Sequence, residues 1–181
     1  DGGPGGGWAG GGHGGGDALP MACLAPQVVD AVRIPVIAAG GIVDGRGLAM
    51  GLATGAQAVY MGTRFMATHE CPIHDRVKQA LVAAPDTGTV SWGRTTGTAR
   101  TLRNRFAVEF RRRELAGASA EALNAYIAES ADPGGRRIAG LKHGDLGGGG
   151  IYAGAGIGGP REGRSRGQGG PRTIQDPERT N

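Results

Sequence analysis

The sequence predicts an α/β fold in which helices alternate with parallel strands. Two short apolar segments, residues 34–39 and 58–61, have the length of buried strands, and each is closed by a glycine-containing turn. Helical patterns lie between and after them, near residues 44–56 and 72–81. Strands joined by short helical connections in this order run parallel and have right-handed crossovers.

The composition agrees with one folded region flanked by glycine-rich ends. Glycine accounts for 38 of 181 residues and aromatic residues for 4%. The glycines concentrate in residues 1–16 and 144–170, which leaves a middle of ordinary globular composition. The length corresponds to one domain or to a piece of a larger one. The apolar runs are too short for a transmembrane helix.

Cysteine content and charge exclude several classes of protein. The two cysteines, Cys23 and Cys71, cannot form a disulfide scaffold or a four-thiolate zinc site, so we expect a reduced, cytoplasmic location. The net charge of +4 and the pI of 9.6 raise the question of nucleic acid. The basic tail also carries acidic residues and contains no aromatic residue for base stacking. A solvated basic surface is therefore the favoured interpretation, with no nucleic-acid partner.

The first predicted elements are a helix and a strand. Residues 26–32 have a helical pattern, with Pro26 at or near the first turn and the valines at 28, 29 and 32 on one face. The strand at 34–39 is apolar throughout. That pattern is typical of strands that are buried on both faces, as in parallel sheets.

Two further helices and a second strand follow. Asp44 can cap a helix whose apolar positions are Ala49, Leu52, Ala53 and Ala56. The strand at 58–61 ends at Gly62-Thr63, and Pro72 opens a helix whose inner face comprises Ile73, Val77, Ala80 and Leu81. Beyond it, residues 102–115 and 120–127 have helical patterns, the former with Phe106 and Phe110 on one face.

The two strand ends carry the functional signal. Gly40-Gly41 and Gly62-Thr63 are 22 residues apart and end consecutive parallel strands. Ligands of parallel α/β folds bind at this edge, where glycine lets backbone N–H groups approach an anion. The threonine hydroxyl adds a donor. A phosphate site is favoured over glycines that merely permit tight turns.

These residues carry a resemblance to a known family. Residues 34–47, Ile-Pro-Val-Ile-Ala-Ala-Gly-Gly-Ile-Val-Asp-Gly-Arg-Gly, are followed by Ala-Val-Tyr-Met-Gly-Thr-Arg-Phe at 58–65 and Glu-Cys-Pro at 70–72. The pattern resembles nitronate monooxygenase, formerly 2-nitropropane dioxygenase, over about residues 7–158. The resemblance implies the C-terminal part of an FMN-binding (β/α)₈ TIM barrel. The related flavin-dependent enoyl-acyl-carrier-protein reductases share much of the pattern.

The resemblance also implies the site residues. The family motif Gly-x-Glu-Ala-Gly-Gly-His matches residues 7–13, with Ala9 in place of the acid and Gly10 in place of alanine, and its histidine, here His13, faces the flavin. An imidazole can remove the proton next to a nitro group, or alternatively stabilise negative charge on the nitronate oxygens. Gly6 stands where the family has a glutamine. The FMN contacts implied by the alignment are Gly11, Gly41, Tyr60, Met61, Gly62 and Thr63, with Gly40 in the same turn.

The implied activity is the oxidation of alkyl nitronates by oxygen to carbonyl compounds and nitrite. In this interpretation residues 1–84 contain the loop that carries His13 and the last two barrel strands. Residues 85–159 cover the substrate side, and residues 160–181 form a disordered or diverged tail. Residues 1–6 are also expected to be mobile. Two alternatives stay open, namely an enoyl-acyl-carrier-protein reductase and a non-catalytic half-barrel remnant.

The remaining histidines are weaker candidates. His69 and His74 flank Cys71 with a spacing that superficially suggests a metal site, but surface residues are favoured and no metal is expected. His143 precedes Gly144-Asp145 and is expected to lie in a loop. Neither cysteine has an evident activating base, so thiol catalysis is disfavoured.

Overall fold

A computed structural model describes residues 8–14 and 19–159. Its strands are β1 (Gly12–His13), β2 (Ile37–Ala39), β3 (Ala58–Tyr60), β4 (Thr89–Trp92) and β5 (Ala99–Leu102). Its helices are α1 (Met21–Ala31), α2 (Gly45–Ala53), α3 (Thr63–Met66), α4 (Asp75–Ala83), α5 (Arg105–Leu115), α6 (Ala120–Ala128) and α7 (Gly135–Leu141). A 3₁₀ turn at Ala155–Gly158 follows. The predictions for residues 1–6 and 160–181 lie outside the described residues.

The predicted parallel pair of strands is present. β2 pairs with β3 in parallel, with Ile37 opposite Ala58 and Ala39 opposite Tyr60. Helices α1 and α2 cover one face of this pair through a core of Met21, Ala25, Ala38, Ile42 and Ala56. The β-α-β order predicted from the apolar segments is therefore confirmed.

The prediction that these strands are buried on both faces is wrong for the described residues. Ala38 is buried, whereas the side chains of Ile37 and Tyr60 are 60% and 67% exposed. Successive residues of a strand point to opposite faces. Only the face towards α1 and α2 is covered by the described part of the chain, which accounts for the difference.

Two details of the first helices differ from the prediction. Helix α1 begins at Met21, so Pro26 lies inside it and not in its first turn. The Gln27 side chain donates to the Cys23 carbonyl at 2.7 Å within the same helix. In α2, the predicted cap is confirmed, since the Asp44 carboxylate accepts from the Gly47 N–H at 3.0 Å.

The apolar stripe predicted for α2 does not form its contact face. Ala49, Leu52 and Ala53 are exposed, and the buried residue within the helix is Gly51. The fourth predicted position, Ala56, lies beyond the helix and is buried in the core. A Cβ on Gly51 would lie 2.5 Å from a methyl group of Val59. The absence of that atom lets the helix backbone approach the sheet closely, which a search for apolar side chains does not detect.

An antiparallel sheet that the sequence analysis missed joins β1 to two strands of the second half of the chain. Its order is β1-β5-β4, and β4 and β5 form a hairpin that pairs Thr89 with Leu102 and Trp92 with Ala99. Leu102 therefore ends a strand and does not begin a helix. Helix α5 begins only at Arg105, because the Asn104 side chain accepts from the Ala107 N–H at 3.0 Å and caps it.

The helices of this half cover the hairpin as their patterns indicate. Phe106 and Phe110 pack against Trp92 and Leu123 in one core cluster, which confirms the predicted face of α5. Val77 and Leu81 of α4 are fully buried in a second cluster with Ile151, Ala153 and Ile157. Helix α4 starts at Asp75, later than Pro72 suggested, and His74 is its cap.

Arg136 joins α6, α7 and the glycine-rich segment after α7. Its guanidinium donates to the carbonyls of Tyr126, Ile127 and Gly148 and lies 4.3 Å above the centre of the Phe106 ring. These contacts connect α7 with α6, with α5 through Phe106, and with the segment around Gly148. None of the helices in the described ranges is long and apolar enough to cross a membrane.

Candidate active site

The two glycine-containing strand ends lie next to each other. The parallel register of β2 and β3 ends at Ala39 opposite Tyr60, so Gly40-Gly41 and Met61-Gly62 leave the sheet side by side. Gly40 and Gly41 have φ of 115° and 74°, a conformation that favours glycine. Within the described ranges, the N–H groups of Gly41 and Gly62 have no acceptor. The site therefore presents free donors at the edge where ligands of parallel folds bind.

The third predicted contact, Thr63, is held from the other half of the chain. Its side chain is buried, and its Oγ1 accepts from the Gly154 N–H at 2.8 Å. The hydroxyl proton stays available for donation. Of the other predicted contacts, the Tyr60 side chain is exposed. Met61 is partly buried against the core between the β2–β3 pair and helices α1 and α2.

The segment that carries the histidine, residues 8–14, is packed against these strand ends through glycines. The Ala155 N–H donates to the Ala9 carbonyl at 2.8 Å. A Cβ on Gly41 would lie 3.0 Å from the Ala9 Cβ, and one on Gly11 would lie 2.7 Å from the Gly154 nitrogen. Backbone therefore approaches backbone at Gly11 and the Ala9 methyl group at Gly41, and a side chain on either glycine would crowd these contacts.

His13 lies at the edge of the antiparallel sheet beside Tyr152. His13 pairs with Ala99 and Tyr152 pairs with Thr101, two positions apart along the same edge of β5. Their side chains share a face, and their ring centroids are 5.5 Å apart. Burial raises the pKa of the half-buried Tyr152, and the charge of Arg137 partly offsets the rise.

Comparison with known proteins identifies the family. A model of the nitronate monooxygenase family matches residues 5–165, which is most of the chain. The chain belongs to the nitronate monooxygenase family. The resemblance drawn from the strand-end motifs is therefore confirmed.

Two curated proteins share part of the sequence. A probable nitronate monooxygenase of Staphylococcus aureus is 42% identical over 95 residues, which is 50% of this chain and 27% of that protein. The (3aS,4S,5R,7aS)-5-hydroxy-7a-methyl-1-oxo-octahydro-1H-indene-4-carboxyl-CoA dehydrogenase of Rhodococcus jostii is 56% identical over 75 residues, which is 40% of this chain and 21% of that protein. The chain thus matches about a quarter of the length of these relatives.

Solved structures confirm the fold class. FabK from Thermotoga maritima superposes with a TM-score of 0.78 and 35% identity, covering 88% of this chain and 48% of FabK. Nitroalkane oxidase from Streptomyces ansochromogenes gives a TM-score of 0.66 and 33% identity, covering 88% of this chain and 46% of that structure. The fold is α/β, as part of a TIM barrel, and the chain spans about half the length of these structures.

The other histidines and the two cysteines considered in the sequence analysis lie away from the strand ends and His13. His74 serves as a helix cap, since its Nδ1 accepts from the Arg76 N–H at 3.2 Å. The His143 Nδ1 contacts the Asp132 carboxylate between α6 and α7. Cys23 and Cys71 are free thiols. In the part of the chain that the structure describes, no three ligating side chains are grouped as a metal site would require.

Tyr152 lies beside the candidate residue His13, and the sequence analysis did not single it out. It lies in Tyr-Ala-Gly-Ala-Gly-Ile-Gly at 152–158, a segment whose similarity to the family is visible in the sequence. The available signal was a large aromatic side chain directly before a run of small residues. Its position beside His13 depends on a pairing between segments that are far apart in the chain, which no local pattern reveals.

Proposed function

We propose that the chain contributes the cofactor-binding and catalytic histidine portion of an FMN-dependent oxidoreductase, which uses oxygen to convert alkyl nitronates to carbonyl compounds and nitrite. The main support is the junction of the histidine loop with the two glycine-containing ends of β2 and β3. The similarity to nitroalkane oxidase and to a probable nitronate monooxygenase agrees with this chemistry.

The strand ends are suited to the phosphate of FMN. The free N–H groups of Gly41 and Gly62, with the Thr63 hydroxyl, would donate to phosphate oxygens. A Cβ on Gly62 would meet no atom within 4 Å, so there is open space for a bulky anion at this end. Backbone groups of Gly11, Gly40, Tyr60 and Met61 complete the proposed binding set.

His13 is the proposed catalytic residue. Its imidazole is exposed beside Tyr152, where it can accept the proton removed from the carbon next to a nitro group. The phenol of Tyr152 stays protonated and can donate to a substrate oxygen, because burial raises its pKa. The bound flavin would supply the electron transfer to oxygen, while the protein binds and orients the reactants.

A thioester substrate is the second candidate. The Rhodococcus jostii relative is named for a carboxyl-CoA substrate, and FabK superposes at least as well as nitroalkane oxidase. In this alternative the same flavin site would take NAD(P)H and reduce an enoyl thioester. Residues 85–159 would cover the substrate side in either case. A cytoplasmic location agrees with the two free thiols.

Flavin binding and two assays distinguish these possibilities. The purified chain is titrated with FMN while flavin absorbance and fluorescence are followed, and the loaded protein is then given a nitronate with oxygen or NADH with a crotonyl thioester. Oxygen uptake with the nitronate supports the proposal. NADH oxidation with the thioester supports the second candidate. A chain that takes up no FMN supports the non-catalytic remnant.

A further inference from the structure

Arg100, in the middle of β5, is a buried cation that has no carboxylate partner among the described residues. It is 8% exposed, and none of the ion pairs among the described residues includes it. Its Nε is buried without a hydrogen-bond partner. Burying an unpaired cation with an unused donor destabilises a fold. Thermodynamic stability therefore does not explain why an arginine lies here.

The contacts of Arg100 point to the histidine loop, residues 8–14. Its guanidinium carbon lies 4.5 Å from the centre of the Trp8 ring, and Nη2 makes a long hydrogen bond of 3.4 Å to the Trp8 carbonyl. Nη1 donates to the Thr89 hydroxyl at 3.2 Å, which anchors the group to β4. The backbone of Arg100 pairs with Gly12, next to His13. One residue thus contacts the loop at Trp8 and at Gly12.

The loop requires such an anchor because of its composition. Four of the residues in 8–14 are glycines, whose backbone loses more conformational entropy on ordering than that of other residues. The remaining anchors are backbone bonds, such as Trp8 N–H to the Leu19 carbonyl at 2.8 Å and Gly14 N–H to the Thr98 carbonyl at 2.9 Å. Arg100 adds a hydrogen bond from a side chain, which runs from Nη2 to the Trp8 carbonyl.

We propose that Arg100 is a positioning residue that holds the histidine loop, and with it His13, against β5. The guanidinium stacked on Trp8 holds one part of the loop, and the pairing of Arg100 with Gly12 holds another. The exposed imidazole of His13 therefore keeps one orientation. The catalytic consequence rests on the role of His13 under the proposed function. The positioning of the loop by Arg100 does not depend on that proposed function.

The test compares Arg100→Met with Arg100→Lys and with a matched control, Arg103→Met. Arg103 is an exposed arginine just beyond β5 that donates to the Thr87 carbonyl and does not contact the loop. Amide hydrogen exchange of the peptide containing residues 8–14 is measured together with thermal unfolding. In a Trp92→Phe background, acrylamide quenching reports on Trp8, which is then the sole tryptophan.

Both Arg100 variants should raise loop exchange, by about 10-fold for methionine, and increase Trp8 quenching. The melting temperature of Arg100→Met should be unchanged or higher, because an unpaired buried cation is removed. The control should change neither loop readout. Unchanged loop exchange in Arg100→Met overturns the proposal, and so does a rise in exchange across all peptides accompanied by a lower melting temperature. Arg100→Lys serves the same comparison if the methionine variant does not fold.

These readouts need no activity, so they separate this proposal from the proposed function. In protein that turns over substrate, Arg100→Met should lower kcat and leave KM nearly unchanged, because substrate binding is retained while the imidazole is misplaced. Looser exchange with unaltered kcat would confine Arg100 to the loop and contradict the catalytic role of His13. Unaltered exchange contradicts the role of Arg100 alone.

Discussion

Replacing Gly62 with valine should abolish FMN retention without unfolding the protein. Gly62 has a φ of −93°, which any L-residue adopts, and an added Cβ would meet no atom within 4 Å. The folded state therefore tolerates a side chain, and the reduced entropy of the unfolded chain favours folding by about 0.4–1 kcal/mol for alanine. Loss of one hydrogen bond to a charged phosphate costs about 1.5–3 kcal/mol, or roughly 10- to 150-fold in affinity. Valine adds steric exclusion.

The assay is a fluorescence titration with FMN, combined with thermal melts of each variant. Gly147→Ala is the matched control, because a Cβ there would meet its neighbours at 3.7 Å or more, away from the strand ends. Gly62→Ala should weaken FMN binding and Gly62→Val should eliminate it, with melting temperatures at or above that of the parent. Parent-like FMN affinity in Gly62→Val would refute the assignment of this amide to the phosphate.

Three further predictions concern catalysis and stability. His13→Asn should slow turnover of neutral nitroalkanes by about 10²–10⁴-fold and affect preformed nitronates much less, as measured by oxygen uptake; equal losses would indicate a binding role instead. Hydrogen bonds from Arg112 and Arg113 lower the pKa of Glu109 to about 2. The ionised Glu109 carboxylate therefore stabilises α5 above its ordinary pKa, and this stabilisation is lost as the pH falls towards 2. The melting temperatures of Glu109→Gln and the parent protein should differ at pH 6 and converge near pH 2. Gly149→Ala should destabilise the chain by about 1–3 kcal/mol in urea unfolding, because a Cβ there would overlap the backbones of two neighbouring segments.

The first half of the candidate site could be predicted from short stretches of sequence. An apolar segment followed by Gly40-Gly41, and a second followed by Gly62-Thr63, predicted parallel strands whose ends are adjacent, and the register of β2 and β3 agrees. Strand length, cap and turn residues are local properties of a few consecutive residues, so one sequence displays them directly. The family resemblance rests on the same residues.

Apolar periodicity failed to predict the contact face of α2 and the burial of β2, because it does not show which surfaces of neighbouring elements pack together. Helix α2 contacts the sheet through Gly51, and Ile37 lies on a face that α1 and α2 do not cover. The apolar pattern shows how much hydrophobic surface an element carries. It does not show where the backbone approaches most closely, since glycine contributes no side chain to the pattern.

The sequence by itself determined the α/β class, the family and the pair of glycine-containing strand ends, because each depends on short stretches of contiguous residues. Only the tertiary structure decided that β4 and β5 form a hairpin, that His13 and Tyr152 share one edge of it, and that Arg100 contacts Trp8 from beneath the loop. The last two of these contacts join residues 139 and 92 positions apart. Pairings over such separations depend on chain topology and on the balance of burial against entropy over the whole fold, which no local segment encodes.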